Sequence, residues 1–149
     1  MKYGIGFLFC LLMLAMACQT PKTENQSNGE VDAQGEVNPN GDSELAIVMR
    51  AMHDHGKQLR AELEAGKTIS PYPQLIQTIN EATPTDGMID DHRVFEGFSA
   101  HYLSKLDSIY LQGVNQKLQF NNMVSSCITC HQEYCHGPIP AIRKLYLAQ

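Results

Sequence analysis

The sequence predicts an all-α fold, an antiparallel four-helix bundle that follows a disordered N-terminal tether. Beyond residue 42, apolar residues recur at alternating spacings of three and four, which is the period of an amphipathic helix. No stretch there alternates apolar and polar residues in the manner of a half-buried strand. A chain of 149 residues also suits one modest domain with a single core.

The start of the chain has the features of an export signal. Lys2 is followed by an unbroken small and apolar run over residues 4–17, which is short for a membrane-spanning helix. We therefore expect residues 1–17 to be a signal peptide. Ala17 and Cys18 resemble the lipobox at which bacterial lipoproteins are cut and lipidated. Cys18 would then anchor the protein to a membrane in the periplasm or cell envelope; the alternative is an ordinary cleavable signal with an unmodified cysteine.

Residues 18–42 are expected to be the lipidated tether. From residue 19 this stretch has no aromatic and few apolar side chains, so it cannot bury enough surface to offset the entropy of ordering it. The folded domain is then residues 43–149. Its partners are not expected to include nucleic acid, because the chain carries a net charge of −5 and no run of basic residues.

The first two helices are delimited by capping residues. Asp42 or Ser43 can cap a helix that stops at Gly66. Its apolar stripe consists of Leu45, Met49, Met52, Gly56, Leu59 and Leu63. A second, short helix is predicted to start at Pro73, and the sequence TPTDG breaks the chain after it.

The last two helices of the predicted bundle follow. The third covers about residues 90–112 and ends at Gly113. Asn115 can cap the fourth, which Gly137 and Pro138 stop. The inner face of the fourth helix is expected to hold Phe120, Met123, Val124, Cys127, His131 and Tyr134. The short connection between these helices predicts an antiparallel pair, and a final turn or short helix is expected over residues 139–147.

The fourth helix carries the pattern Cys-x-x-Cys-His, as Cys127, Cys130 and His131 in the sequence CITCH. This is the pattern of covalent haem attachment. Thiols at positions i and i+3 share one face of a helix and can add to the two vinyl groups of one porphyrin. The histidine that follows can reach the iron from the proximal side.

The chain thereby resembles the class II cytochromes c, a family of four-helix bundles with this motif in the last helix. Tyr134, an aromatic residue three positions after His131, matches the family's ending, and the resemblance covers about residues 43–134. It implies one haem c per chain, held by Cys127 and Cys130 with His131 as the proximal ligand. We expect such a haem to serve electron transfer with redox protein partners; gas binding and a minor haem peroxidase activity are the alternatives. Members of the family often pair, which leaves a homodimer open.

The distal side of the iron decides between electron transfer and gas binding. The family takes its distal contact from the first helix, and Met49 lies near that position, with Met52 a turn further along the stripe. A methionine ligand gives a low-spin iron of raised potential, whereas an open iron would bind a small gas such as NO or CO. Apolar packing is the alternative role of both methionines. His53 and His55 flank this face. We expect their side chains to be exposed to solvent, and the alternative is that a rotated helix makes one of them an iron ligand.

A different class of function is a structural zinc site. It would use Cys127, Cys130 and Cys135 with His136 or His131, and would make the protein a structural or interaction lipoprotein. A dithiol oxidoreductase is a further alternative, although its Cys-x-x-Cys pair usually opens a helix after a strand. An enzyme is not favoured, because neither a pair of carboxylates nor a nucleophile with a base stands out in the sequence.

Overall fold

The computed structural model describes residues 41–148. The predicted signal peptide, the lipidation site Cys18 and the tether as far as residue 40 lie outside the described residues. None of the helices within residues 41–148 is long and apolar enough to cross a membrane.

Residues 41–148 form five helical segments and no strand, which confirms the all-α prediction. The segments are α1 (Glu44–Glu64), a 3₁₀ helix (Gln74–Asn80), α2 (His92–Ser108), α3 (Gln116–Tyr134) and α4 (Ile139–Arg143). The predicted second helix is thus a seven-residue 3₁₀ segment. Three long helices therefore carry most of the core.

The three long helices begin with side-chain caps. Ser43, Asp91 and Asn115 each accept a hydrogen bond from a backbone N–H of the first turn. After α1 the chain turns at Gly66, whose φ of 63° lies in the left-handed region that favours glycine. The predicted limits of α1 and the predicted cap of α3 are therefore confirmed.

The main core is formed by the second half of α1, the 3₁₀ helix, α2, α3 and the C-terminal segment. Its buried apolar residues are Leu59, Leu63, Ile76, Tyr102, Leu106, Ile109, Phe120, Met123, Val124, Ile142, Leu145 and Leu147. Helix α2 packs along α3, whereas α1 packs on the 3₁₀ helix and makes few contacts with α3. This leaves room between α1 and the C-terminal half of α3.

An amide side chain fixes the end of the chain. Asn121 is buried; its Nδ2 donates to the carbonyl of Leu147 at 3.0 Å, and its Oδ1 accepts from the Leu147 N–H at 2.9 Å. Leu145, two residues earlier, lies against α1, where a Cβ added at Gly56 would stand 3.1 Å from its Cδ1. Gly56 is therefore a close contact with the C-terminal segment.

The expectation that His55 is exposed is wrong. Its side chain is only 4% exposed, because α1 turns a wider face inward than the predicted stripe. The His55 Nε2 lies 3.2 Å from the hydroxyl of Tyr110, which itself donates to the carbonyl of Ser70. Since that hydroxyl has one proton, His55 is the donor in their contact. Burial lowers the pKa of His55, against the opposing effect of the Glu62 carboxylate.

Candidate functional site

The motif lies in the last two turns of α3. Cys127 and Cys130 are partly buried, and both are free thiols. Burial, with a smaller contribution from Cys130, raises the pKa of Cys127 to about 12, and burial raises the pKa of Cys130 to about 11. A redox-active Cys-x-x-Cys pair needs one thiol of lowered pKa. These two thiols have the opposite property, which disfavours a dithiol oxidoreductase.

His131 is oriented by the residue that ends the helix. Its Nδ1 lies 2.9 Å from the carbonyl oxygen of Cys135, whose extended backbone (φ −153°, ψ 93°) stops α3. A carbonyl only accepts, so Nδ1 carries the proton in this contact. The lone pair of Nε2 is then available to a metal, and this is how a metal-binding histidine is usually held.

A cavity of about 410 Å³ opens beside this histidine. Its volume is within the range of ligand and cofactor sites, roughly 300–1,000 Å³. Its walls come from α1, residues 85–89, the start of α2, the end of α3 and α4. They consist of Ser43, Leu45, Ala46, Met49, Arg50, His53, Thr85, Met88, Ile89, Phe95, Cys130, His131, Tyr134, Cys135, Pro138, Ala141 and Ile142. Most of these side chains are apolar, as is usual for the walls of a ligand site.

A smaller cavity of about 50 Å³ continues toward the core, past Cys127. It is lined by Met49, Met52, His53, Ile79, Phe98, Ser99, Tyr102, Met123, Ser126, Cys127, Cys130, His131, Ile142 and Leu145. Five residues line both cavities: Met49, His53, Cys130, His131 and Ile142. The motif therefore meets α1 where the two cavities adjoin.

Among residues 41–148, Arg50 is the only permanently charged residue that lines the larger cavity. Its guanidinium pairs with the Asp42 carboxylate, and its side chain is 56% exposed. A cation at the solvent edge of a mostly apolar cavity suits a ligand that has a carboxylate at one end.

No protein-family model, no curated protein and no solved structure matches this chain. The function must therefore be argued from the site itself.

The two predicted distal residues differ in position. Met49 lines both cavities, whereas Met52 lines only the smaller one. Both side chains are partly buried and pack against a second apolar cluster, formed by Leu45, Val48, Ile79 and Phe95. Both line a cavity that Cys130 and His131 also line, and ligation by either one stays a prediction.

The side chains expected to bind zinc in the alternative site do not lie close enough together to share a metal ion. Within residues 41–148 no three His, Cys, Asp or Glu side chains converge on a point that could hold a metal ion. His136 is exposed beyond the end of α3, and Cys127 lies at the deeper cavity. A zinc site would require the end of α3 to rearrange.

The prediction that the His53 side chain is exposed to solvent is wrong. The side chain is partly buried and lines both cavities. One signal was present, because His53 follows Met49 by four residues, and side chains four apart lie on one face of a helix.

Proposed function

We propose that this chain binds one covalent haem c through Cys127 and Cys130, with His131 as the proximal iron ligand, and serves as an electron carrier outside the cytoplasmic membrane. The observation that carries the proposal is the meeting of the complete Cys-x-x-Cys-His motif with an apolar cavity of about 410 Å³. The bound haem would supply one-electron redox chemistry.

Each residue of the site has a role in this proposal. Cys127 and Cys130 form the thioether bonds, and both remain protonated at neutral pH until attachment. The Cys135 carbonyl holds His131 with Nε2 free. Arg50, at the open edge of the cavity, can pair with a propionate carboxylate. Helix α1 supplies the distal side.

The remaining features follow from the same proposal. The fold is a class II bundle in which the 3₁₀ helix takes the place of the second helix. Lipidation at Cys18 would tether the domain to the periplasmic or envelope face of a membrane, within reach of redox partner proteins. Pairing into a homodimer would suit a member of this family.

The test is an absorption spectrum of the full chain, produced in cells that contain the haem-attachment machinery. A haem that survives denaturation, with sharp reduced bands unaffected by carbon monoxide, is the expected result. Covalent haem whose bands shift with carbon monoxide would point to gas binding instead. Absence of covalent haem would refute the proposal, and the same sample assayed for zinc would then test the structural alternative.

Variants of the three cysteines sharpen this test. Changing Cys127 and Cys130 to serine should abolish covalent attachment. Cys135→Ser is the matched control, because this third thiol lines the same cavity and leaves the motif intact. Loss of attachment in the control as well would contradict the assignment of attachment to Cys127 and Cys130 alone.

A further inference from the structure

The junction of the two cavities contains few groups that could bind iron. Of the five residues that line both cavities, Cys130 and His131 belong to the attachment motif and Ile142 has no donor atom. That leaves Met49 and His53, which lie one turn apart on α1. These two are the candidates for a ligand contributed by α1.

The side chain of His53 makes no hydrogen bond within the described part of the chain. It is nonetheless partly buried. His55, two residues later, is tied to Tyr110, and His131 is tied to the Cys135 carbonyl. An imidazole that lines a mostly apolar cavity, with no hydrogen bond to this part of the chain, keeps a ring nitrogen free to bind a ligand.

Met49, in contrast, already has a structural role. Its side chain packs against the cluster that contains Leu45, Val48 and Phe95, and Met52 packs against the same cluster. Methionine commonly fills irregular space between other apolar side chains. The packing of the two methionines is accounted for without a metal.

We propose that His53 is the second axial ligand of the iron that His131 holds, so that the site is a bis-histidine centre with Met49 packed beside it. This inference rests on the proposed function, since it concerns the same haem. It makes the iron six-coordinate and closed to carbon monoxide. It also removes the rise in reduction potential that methionine ligation would bring.

The ligand pair can be read from the unaltered protein. The full chain, loaded in cells with the attachment machinery, is measured in the ferric state by electron paramagnetic resonance and near-infrared magnetic circular dichroism. The expected result is a low-spin signal of the bis-imidazole type, without the far-red sulfur-to-iron charge-transfer band. A sulfur-to-iron band or a high-spin signal would overturn the inference while leaving covalent haem attachment intact.

Three variants then assign the ligand to a residue. His53→Ala should turn the iron high-spin and open the reduced form to carbon monoxide, and added free imidazole should restore the low-spin spectrum. Met49→Ala should keep the iron low-spin. His101→Ala is the control that should keep the wild-type spectrum, because His101 is an exposed histidine on α2. An unchanged spectrum in His53→Ala, or a high-spin spectrum in Met49→Ala, would refute the assignment. Absence of haem from the denatured wild-type chain would refute the proposed function itself, and this inference with it.

Discussion

Replacing Asn121 tests how the C-terminal segment is held beneath the site. Its amide makes two hydrogen bonds to the backbone of Leu147, and both groups of Leu147 are buried. Asn121→Ala leaves that N–H and that carbonyl without partners. Ile142 and Leu145, which line the cavities, belong to the segment thus released.

The expected loss of unfolding free energy follows from the two backbone groups of Leu147 that lose their hydrogen-bond partner. An unsatisfied buried donor or acceptor costs about 1–3 kcal/mol, so the loss of both partners should lower the unfolding free energy by about 2–6 kcal/mol. This is a large share of the roughly 5–15 kcal/mol typical of a domain. Denaturant unfolding followed by far-ultraviolet circular dichroism measures it. A loss below about 1 kcal/mol would refute the account of a clamp at the C-terminus.

Asn121→Asp is the matched variant, since it keeps the shape of the side chain. One oxygen of its carboxylate can accept a hydrogen bond from the Leu147 N–H. The other oxygen lies against the Leu147 carbonyl oxygen, where the wild-type amide donates a hydrogen bond. Only the protonated acid can donate to that carbonyl. The penalty relative to the wild type should therefore shrink as the pH falls toward about 4. A penalty that does not change with pH would contradict the assigned hydrogen bonds.

Three further predictions concern the rest of the described chain. Tyr134→Ala removes edge-to-face contacts with two phenylalanines, at ring distances of 5.8 and 6.1 Å, and should lower the unfolding free energy by about 1–3 kcal/mol. Tyr134→Phe keeps the ring and loses only the long hydrogen bond from the hydroxyl to the Asp91 carbonyl (3.4 Å), so it should lose less than about 1 kcal/mol. An equal loss in both variants would argue against the ring contacts. Because burial lowers the pKa of His55 below its usual 6.5, the stability it confers is complete above that value and declines as the pH falls through the lowered pKa. Denaturant unfolding between about pH 7.5 and about pH 5 should thus show a steeper fall for the wild type than for His55→Gln, and parallel curves would contradict this. Gly97→Ala lies in open space within α2 and should stabilise the fold by about 0.5–1 kcal/mol, because alanine favours a helix. Gly66→Ala places a Cβ at a φ of 63° and should destabilise the fold by about 1 kcal/mol. If thermal unfolding shifts in the same direction for both variants, the left-handed turn at Gly66 is contradicted.

The limits of the long helices could be predicted because their signals are local. Ser43 and Asn115 cap helices through their own side chains, and Gly66 permits a left-handed turn that a Cβ resists. The form of the second segment could not be predicted in this way. Gln74–Asn80 has the apolar spacing of a helix, but only packing against α1 and α2 decides that it winds as a 3₁₀ helix.

Part of the site was readable from the sequence, and part depended on tertiary packing. The spacing of Cys127, Cys130 and His131 predicted a haem motif on one helix, a local property. The proton position on His131 depends on where the Cys135 carbonyl points after the helix ends, which no pattern encodes. The degree to which the His53 and His55 side chains are buried depends on how α1 is rotated about its axis against the neighbouring helices. An apolar stripe fixes that rotation only to within about one residue.

Mass spectrometry of the denatured full chain tests the central claim most directly. The chain is produced with the haem-attachment machinery, and its mass is compared with that of the variant in which Cys127 and Cys130 are both serine. The account predicts that the wild-type chain is heavier by one haem, after correction for the two substitutions, and that the haem stays on the peptide containing residues 127–131. A wild-type chain that carries no haem after denaturation would contradict it.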